Sequence, residues 1–220
     1  LANPLLSGSA NSLTVKIMPK DQREGQATIL EANELEKLCN SFPMGQHRVI
    51  SFVCTFTSCR ISEALSLKFR NIKKDYILFK AKDTKTNEQR EVPLHPTLKS
   101  VLNDWEENHW YKYPLRNQRE INLEWARPDL DDWLFKGAKR GQHLSRQAFD
   151  RQMRKYTESL NFEGCSTHTY RRSGLTAADE AGMTLNAIKS ISGHSSLDAL
   201  AKYLETSPKR KKAVVASMGF

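Results

Sequence analysis

From Thr28 onward, apolar residues recur at the spacing of a single helix face: Leu35, Leu38, Cys39 and Phe42, then Val49, Phe52, Val53 and Phe56. A helix with such a stripe must bury it against a partner, so this stretch is committed to a packed helical core. A third short helix is expected over about Ile61–Phe69, with Ile61, Ala64 and Leu65 on one face. The pattern then changes to two short runs, Tyr76–Lys80 and Arg90–Leu94, joined by polar Ala81–Gln89, which reads as a hairpin with an exposed basic tip. Helical spacing returns over His95–Asn108, over Ser145–Leu160 behind an N-cap serine, over Thr167–Ala181, over Thr184–Ile191 and over Leu197–Glu205. Gly182 and Gly193 fall at helix ends, where a residue free to take positive φ is favoured. The expected fold class is α+β, mainly helical, with a small antiparallel sheet.

Three stretches lack a sustained period. Residues 1–27 read as a tail or linker, 109–143 as a possible insertion anchored by Trp110, Trp125 and Trp133, and 208–220 as a basic C-terminal tail. The first residue is Leu1, as expected of a chain cut from a longer one. Lys and Arg number 34 against 25 Asp and Glu, a net charge of +9, which favours a polyanionic partner, nucleic acid before membrane. No apolar stretch is long enough to span a bilayer. Cys39, Cys54, Cys59 and Cys165 show no Cys-x-x-Cys pairing, and reduced thiols in a cytoplasmic, DNA-associated protein are expected.

Several polar residues stand where chemistry is conceivable. Projected on a continuous final helix at ~100° per residue, Tyr203 lies about 120° from the stripe of Leu197, Leu200, Ala201 and Leu204; it is not an obvious core tyrosine, and a surface tyrosine is the competing reading. His168 and Arg171 share a face at the start of a helix, where an anion would relieve their repulsion; a solvated pair is the alternative. Arg60 lies between two core segments and needs an acceptor, either Glu63 or a bound phosphate. Lys85 sits at the hairpin tip, and His194 precedes the last helix as a donor or a simple cap. Lys136, Lys139, Arg140, Arg146 and Arg151 form either a phosphate-binding face or a solvated one. Asp129, Asp131 and Asp132 read as a solvated turn, and no metal site is expected.

Together these residues resemble the catalytic domain of the tyrosine recombinase (phage integrase) family. The matches, in order, are Arg60-Ile-Ser-Glu63, the hairpin Thr84-Lys-Thr with Arg90-Glu-Val-Pro-Leu94 downstream, His168-Thr-Tyr-Arg171, Gly193-His-Ser-Ser196 and Tyr203. The intervals from Arg171 to His194 and from His194 to Tyr203 are typical of that family, and five boxes in order make the resemblance strong. It covers about Thr28–Glu205 within a catalytic domain expected over 28–207. Tyr170 before Arg171, and Ser192 before Gly193, stand where the family often has leucine.

The resemblance implies that Tyr203 attacks a DNA phosphodiester, leaving a 3′-phosphotyrosine and a free 5′-hydroxyl that can be exchanged and resealed without ATP. Arg60 and Arg171 would grip the non-bridging oxygens, Glu63 would support Arg60, and Lys85 would protonate the departing 5′ oxygen. His168 would assist proton transfer from Tyr203, and His194 would donate to a phosphate oxygen. No cofactor or metal is implied. The expected partners are double-stranded DNA, other copies of the protein in a tetramer on DNA, and accessory DNA-bending proteins. Two other readings are a type IB topoisomerase-like relaxation of DNA and a catalytically silent DNA-binding module.

Overall fold

The computed structural model describes residues 26–80, 89–110, 128–201, 203–204, 215, 216 and 218. Among them eight α-helices and two strands follow one another as α1 (Ala32–Ser41), α2 (Gln46–Thr57), α3 (Ile61–Leu65), β1 (Tyr76–Phe79), β2 (Arg90–Pro93), α4 (Pro96–Asp104), α5 (Arg146–Ser159), α6 (Thr167–Glu180), α7 (Leu185–Ser192) and α8 (Leu197–Ala201). Lys85, Trp125, most of the expected N-terminal tail and the basic run from Lys209 to Lys212 lie outside the described residues.

Helix boundaries follow local hydrogen-bonding chemistry. Ser145 accepts from the Ala148 amide, Ser166 from His168 and Thr184 from Ala187, each satisfying a donor that the first helical turn leaves open. Helix α2 ends at Ser58 in the left-handed region (φ 48°), and α7 ends at Gly193 (φ 64°), the conformation glycine adopts without steric cost. The main core gathers Leu38, Ile50, Leu65, Ile77, Leu98, Phe149 and Tyr170, all buried, from α1 to α6 and the sheet. The four cysteines are free thiols, and Cys39, Cys54 and Cys59 belong to this core.

The strands pair antiparallel, with Tyr76 opposite Pro93 and Phe79 opposite Arg90. Side chains alternate across a strand, so Ile77, Phe79 and Val92 face the core, and Arg90, two residues before Val92, faces it too. A charged side chain is thereby carried beneath the helices.

Two departures from the sequence expectations bear on the site. The third helix stops at Leu65, and a 3₁₀ turn, Phe69–Asn71, completes the segment read as one helix. More consequentially, α8 stops at Ala201: the chain tightens through Tyr203 N–H to Leu200 O (2.8 Å) and Leu204 N–H to Ala201 O (3.1 Å). The angular projection of Tyr203 on a continuous helix therefore fails, because this last turn is wound more tightly. Residues 128–144, within the stretch read as a possible insertion, place Leu134 and Phe135 in the main core. Tryptophans tie this segment down: Trp105 donates to the Leu134 carbonyl (3.1 Å), Trp110 to Trp133 (3.2 Å) and Trp133 to Gly141 (2.9 Å).

Candidate active site

Arg60 caps α3, and its neighbour three residues on closes back upon it. The Glu63 carboxylate accepts from the Arg60 amide (3.0 Å) and from Arg60 Nη1 (3.0 Å). Glu63 is buried, while Arg60 keeps partial exposure. Burial alone would raise the Glu63 carboxyl, but Arg90 and Arg60 outweigh it and hold the group below the usual carboxylate range. Arg90 makes the shorter contact, with Nη2 2.6 Å from Glu63 Oε2.

Arg171 lies on α6, five residues past its serine cap, and is 1% exposed. The solvated pairing of His168 with Arg171 is thus overturned on the arginine side: no solvent reaches this guanidinium, and its partners are protein groups. Nη1 donates to the carbonyls of Ser58 (2.6 Å) and Ser192 (2.8 Å). The approach to Ser58 requires α6 to lie close on the end of α2, and Gly174 permits it, since a Cβ there would collide with the Ser58 side chain. Burial and the nearby Arg60 push Arg171 down to about 10, which leaves it charged at neutral pH.

His194 completes this wall. Arg171 Nη2 lies 3.0 Å from His194 Nε2 and 3.2 Å from Nδ1, and arginine can only donate, so the ring receives it on its unprotonated nitrogen. Nδ1 lies 2.8 Å from Ser192 Oγ, which itself contacts the Lys189 carbonyl. Burial, and then Arg171 and Arg60, push His194 down to about 3, so the ring is neutral at physiological pH.

Tyr203 faces these groups. Its ring meets the His194 imidazole edge-on at 5.0 Å between centroids, and the Arg171 guanidinium carbon lies 5.7 Å from the ring centre. The tyrosine is half-buried against Leu175, Ile188 and Leu200, a small second cluster, and is neither a core residue nor a free surface one. One end of the molecule therefore brings together Arg60, Glu63, Arg171, His194 and Tyr203. Two arginines and a phenol converging on one place suit attack on a phosphodiester, whose oxygens forked donors grip well.

Residues 28–210 match the phage integrase family. The chain belongs to that family. Tyrosine recombinase XerC of Rickettsia prowazekii (strain Madrid E) is 28% identical over 157 residues, covering 70% of this chain and 45% of that protein. Among solved structures, XerA recombinase superposes with a TM-score of 0.69 at 16% identity, over 88% of this chain and 66% of the other. XerH site-specific recombinase, in a pre-cleavage complex with its difH substrate, gives 0.62 at 24% identity, over 86% and 53%. At such identities the structures establish a shared fold. The chain spans about half the length of the curated relatives it matches.

The remaining residues of the phage integrase pattern are placed differently. His168 is exposed at the start of α6 and lines a cleft of about 670 Å³ with Arg146, Asp150, Arg154 and Cys165. The structure thus sets His168 in one cleft with Arg146. Lys139, Arg140, Arg146 and Arg151 are exposed. Lys136 is half-buried with its ammonium 3.1 Å from the centre of the Trp110 ring, and burial lowers its pKa. The Asp132 carboxylate accepts from the Asp129 amide and the Asp129 carboxylate from the Asp131 amide, and Asp131 pairs with Arg70 and Lys68. Among the described residues no helix is long and apolar enough to cross a membrane, and no group of three or more His, Cys, Asp or Glu is placed to hold a metal ion.

Sequence reasoning missed Arg90 and Ser192. Arg90 had a signal, its even spacing from Val92, which predicts an inward-facing position. Ser192 had none, because its role rests on a carbonyl that only the turn before His194 brings to Arg171 and a hydroxyl it brings to His194.

Proposed function

We propose that this chain is the catalytic domain of a site-specific DNA recombinase or integrase that cuts and rejoins DNA through Tyr203. The carrying observation is the convergence of buried Arg171, carboxylate-held Arg60 and half-buried Tyr203 around His194. Tyr203 attacks phosphorus and breaks the bond to the 5′ oxygen, so the phosphoryl group passes to the phenol as a 3′-phosphotyrosine. Arg60 and Arg171 stabilise the charge gathering on the non-bridging oxygens, and Glu63 fixes Arg60. Lys85 delivers the proton to the departing oxygen, and the phenol proton leaves through His168 or water.

Both nitrogens of His194 face protein partners, so its donation to a phosphate requires that the phosphate take Arg171 Nη2 from the ring and that the nitrogen facing it carry the ring proton. The basic residues Lys139, Arg140, Arg146 and Arg151 contact the DNA backbone, and binding weakens with salt accordingly. The catalytic domain spans 28–207, works as a tetramer on double-stranded DNA with bending proteins as helpers, and acts in the cytoplasm.

The test is a pool of random-sequence duplexes, each nicked so that cleavage releases the short downstream fragment with its 5′-hydroxyl and traps the adduct. With the wild-type protein a covalent complex appears on a denaturing gel, and Tyr203→Phe abolishes it. Salt-sensitive DNA binding with no adduct from any duplex would instead make the chain a silent DNA-binding module.

A further inference from the structure

Arg90 is a buried charge that the reaction above does not use. Its Nη2 holds Glu63 Oε2 at 2.6 Å, and its Nε donates to the Ile191 carbonyl at 2.9 Å. Its guanidinium carbon lies 4.3 Å from the centre of the Phe79 ring, which fixes the plane of the fork. Nη1 sits against Gly193, where a Cβ would come within 2.7 Å of it, so the turn before His194 is moulded on this guanidinium. One side chain on β2 therefore touches the carboxylate that holds Arg60 and the turn that presents His194 and the Ser192 carbonyl to Arg171.

We infer that Arg90 is a positioning residue for cleavage: it sets Glu63, and through it Arg60, in register with the turn carrying His194. The inference rests on the recombinase reading above. Glu63 has two oxygens and two arginines, and removal of Arg90 leaves a buried oxygen without its strongest partner. That carboxylate then swings toward Arg60, drawing the forked donor away from the place where the phosphate must sit. At the same time the Ile191 carbonyl loses its Arg90 donor, and the turn carrying His194 loses register with it. Arg90 is buried on the strand, and its fork is taken up by Glu63 and the Ile191 carbonyl.

A residue that merely stabilises the fold would slow every reaction of the protein alike, whereas one that places Arg60 fails only where Arg60 is needed. The experiment compares wild type, Arg60→Ala, Arg90→Met and Arg90→Lys on two trapped duplexes, one with an ordinary scissile phosphate and one with an uncharged methylphosphonate there. The methylphosphonate lacks the oxygen charge that an arginine must offset. Arg60→Ala is expected to lose about 100-fold or more in single-turnover adduct formation on phosphate. Arg90→Met is expected to lose about tenfold to 100-fold, with DNA affinity within about twofold of wild type and with most of the loss recovered on methylphosphonate. Arg90→Lys, which keeps the charge and loses the fork, is expected to fall between. Equal loss on both duplexes, or cleavage within about threefold of wild type on phosphate, overturns the inference.

A second readout needs no DNA. In ¹⁵N NMR the Nη–Hη signal of Arg60, which donates to Glu63 from Nη1, should be slowed in exchange in the wild-type protein and shifted in Arg90→Met, while amides of α1 and α2 keep their protection. An unchanged Arg60 signal overturns the inference as well. Failure of the wild-type protein to form any adduct would count against the recombinase reading, and the NMR comparison would still decide the role of Arg90.

Discussion

The two sides of the site rest on cores of very different size. Arg60, Glu63 and Arg171 stand on helices that belong to the main core, whereas Tyr203 leans on a cluster whose buried members are Leu175, Ile188 and Leu200. The arginines are held by carbonyls and a carboxylate at 2.6–3.0 Å, but Tyr203 is placed by ring contacts at 5.0 and 5.7 Å beyond the end of a five-residue helix. Rigid anion-binding groups paired with a lightly held nucleophile is the difference that matters: the cradle is preorganised, and the attacking arm is free to adjust.

The sharpest way to break that contrast is Tyr203→Phe, which should abolish the covalent adduct while leaving the thermal midpoint within a degree or two of wild type, since a half-buried hydroxyl on the small cluster carries little of the fold. In the main core, Phe149→Ala should cost about 3–5 kcal/mol in chemical denaturation, because it empties a fully buried ring site against Phe42 and Tyr170. Leu200→Ala should cost less, about 2 kcal/mol, and should act locally. Hydrogen exchange over 197–201 should rise well before global unfolding, with adduct formation falling in step. Equal global destabilisation by the two alanine substitutions would show that both clusters unfold as one unit.

The smallest expected effect is that of pH on the joint between them. His194 is held far below its ordinary value, so on acidification the unfolded chain takes up a proton that the native ring refuses. Stability from this group is complete above about pH 6.5 and falls as pH drops toward 3, by about 1–2 kcal/mol between pH 7 and 5. Urea titrations at the two pH values, with His194→Gln flattening the difference, provide the measurement.

Much of this architecture was legible because helices announce themselves by period. Leu35, Leu38 and Cys39 are all buried on α1, and Ser145 and Thr184 cap the helices they precede. Residues 128–144 were unreadable for the opposite reason: Leu134 and Phe135 reach the core on an irregular path held by indole donors and backbone carbonyls, which leave no period in the chain. At the site, Arg60 and Glu63 were readable as neighbours on one short helix, and Tyr203 was visible as a residue but not as a position. Its placement depended on α8 ending at Ala201, and a projection that assumes the helix continues sends the ring in another direction. Arg90 was hidden by its charge, which argues for solvent, against its register, which argues for the interior.

The ligands of Arg171 have an electrical consequence. Backbone carbonyls and a neutral imidazole orient a guanidinium without cancelling its charge, whereas Arg60 and Arg90 divide a single carboxylate between them. Among the described residues of the site, three cations against one anion leave a surplus of two positive charges. A resting phosphodiester carries one negative charge, and its five-coordinate form carries two. The surplus therefore matches the fleeting species better than the stable one, which is the condition for a site that accelerates bond exchange instead of only holding DNA.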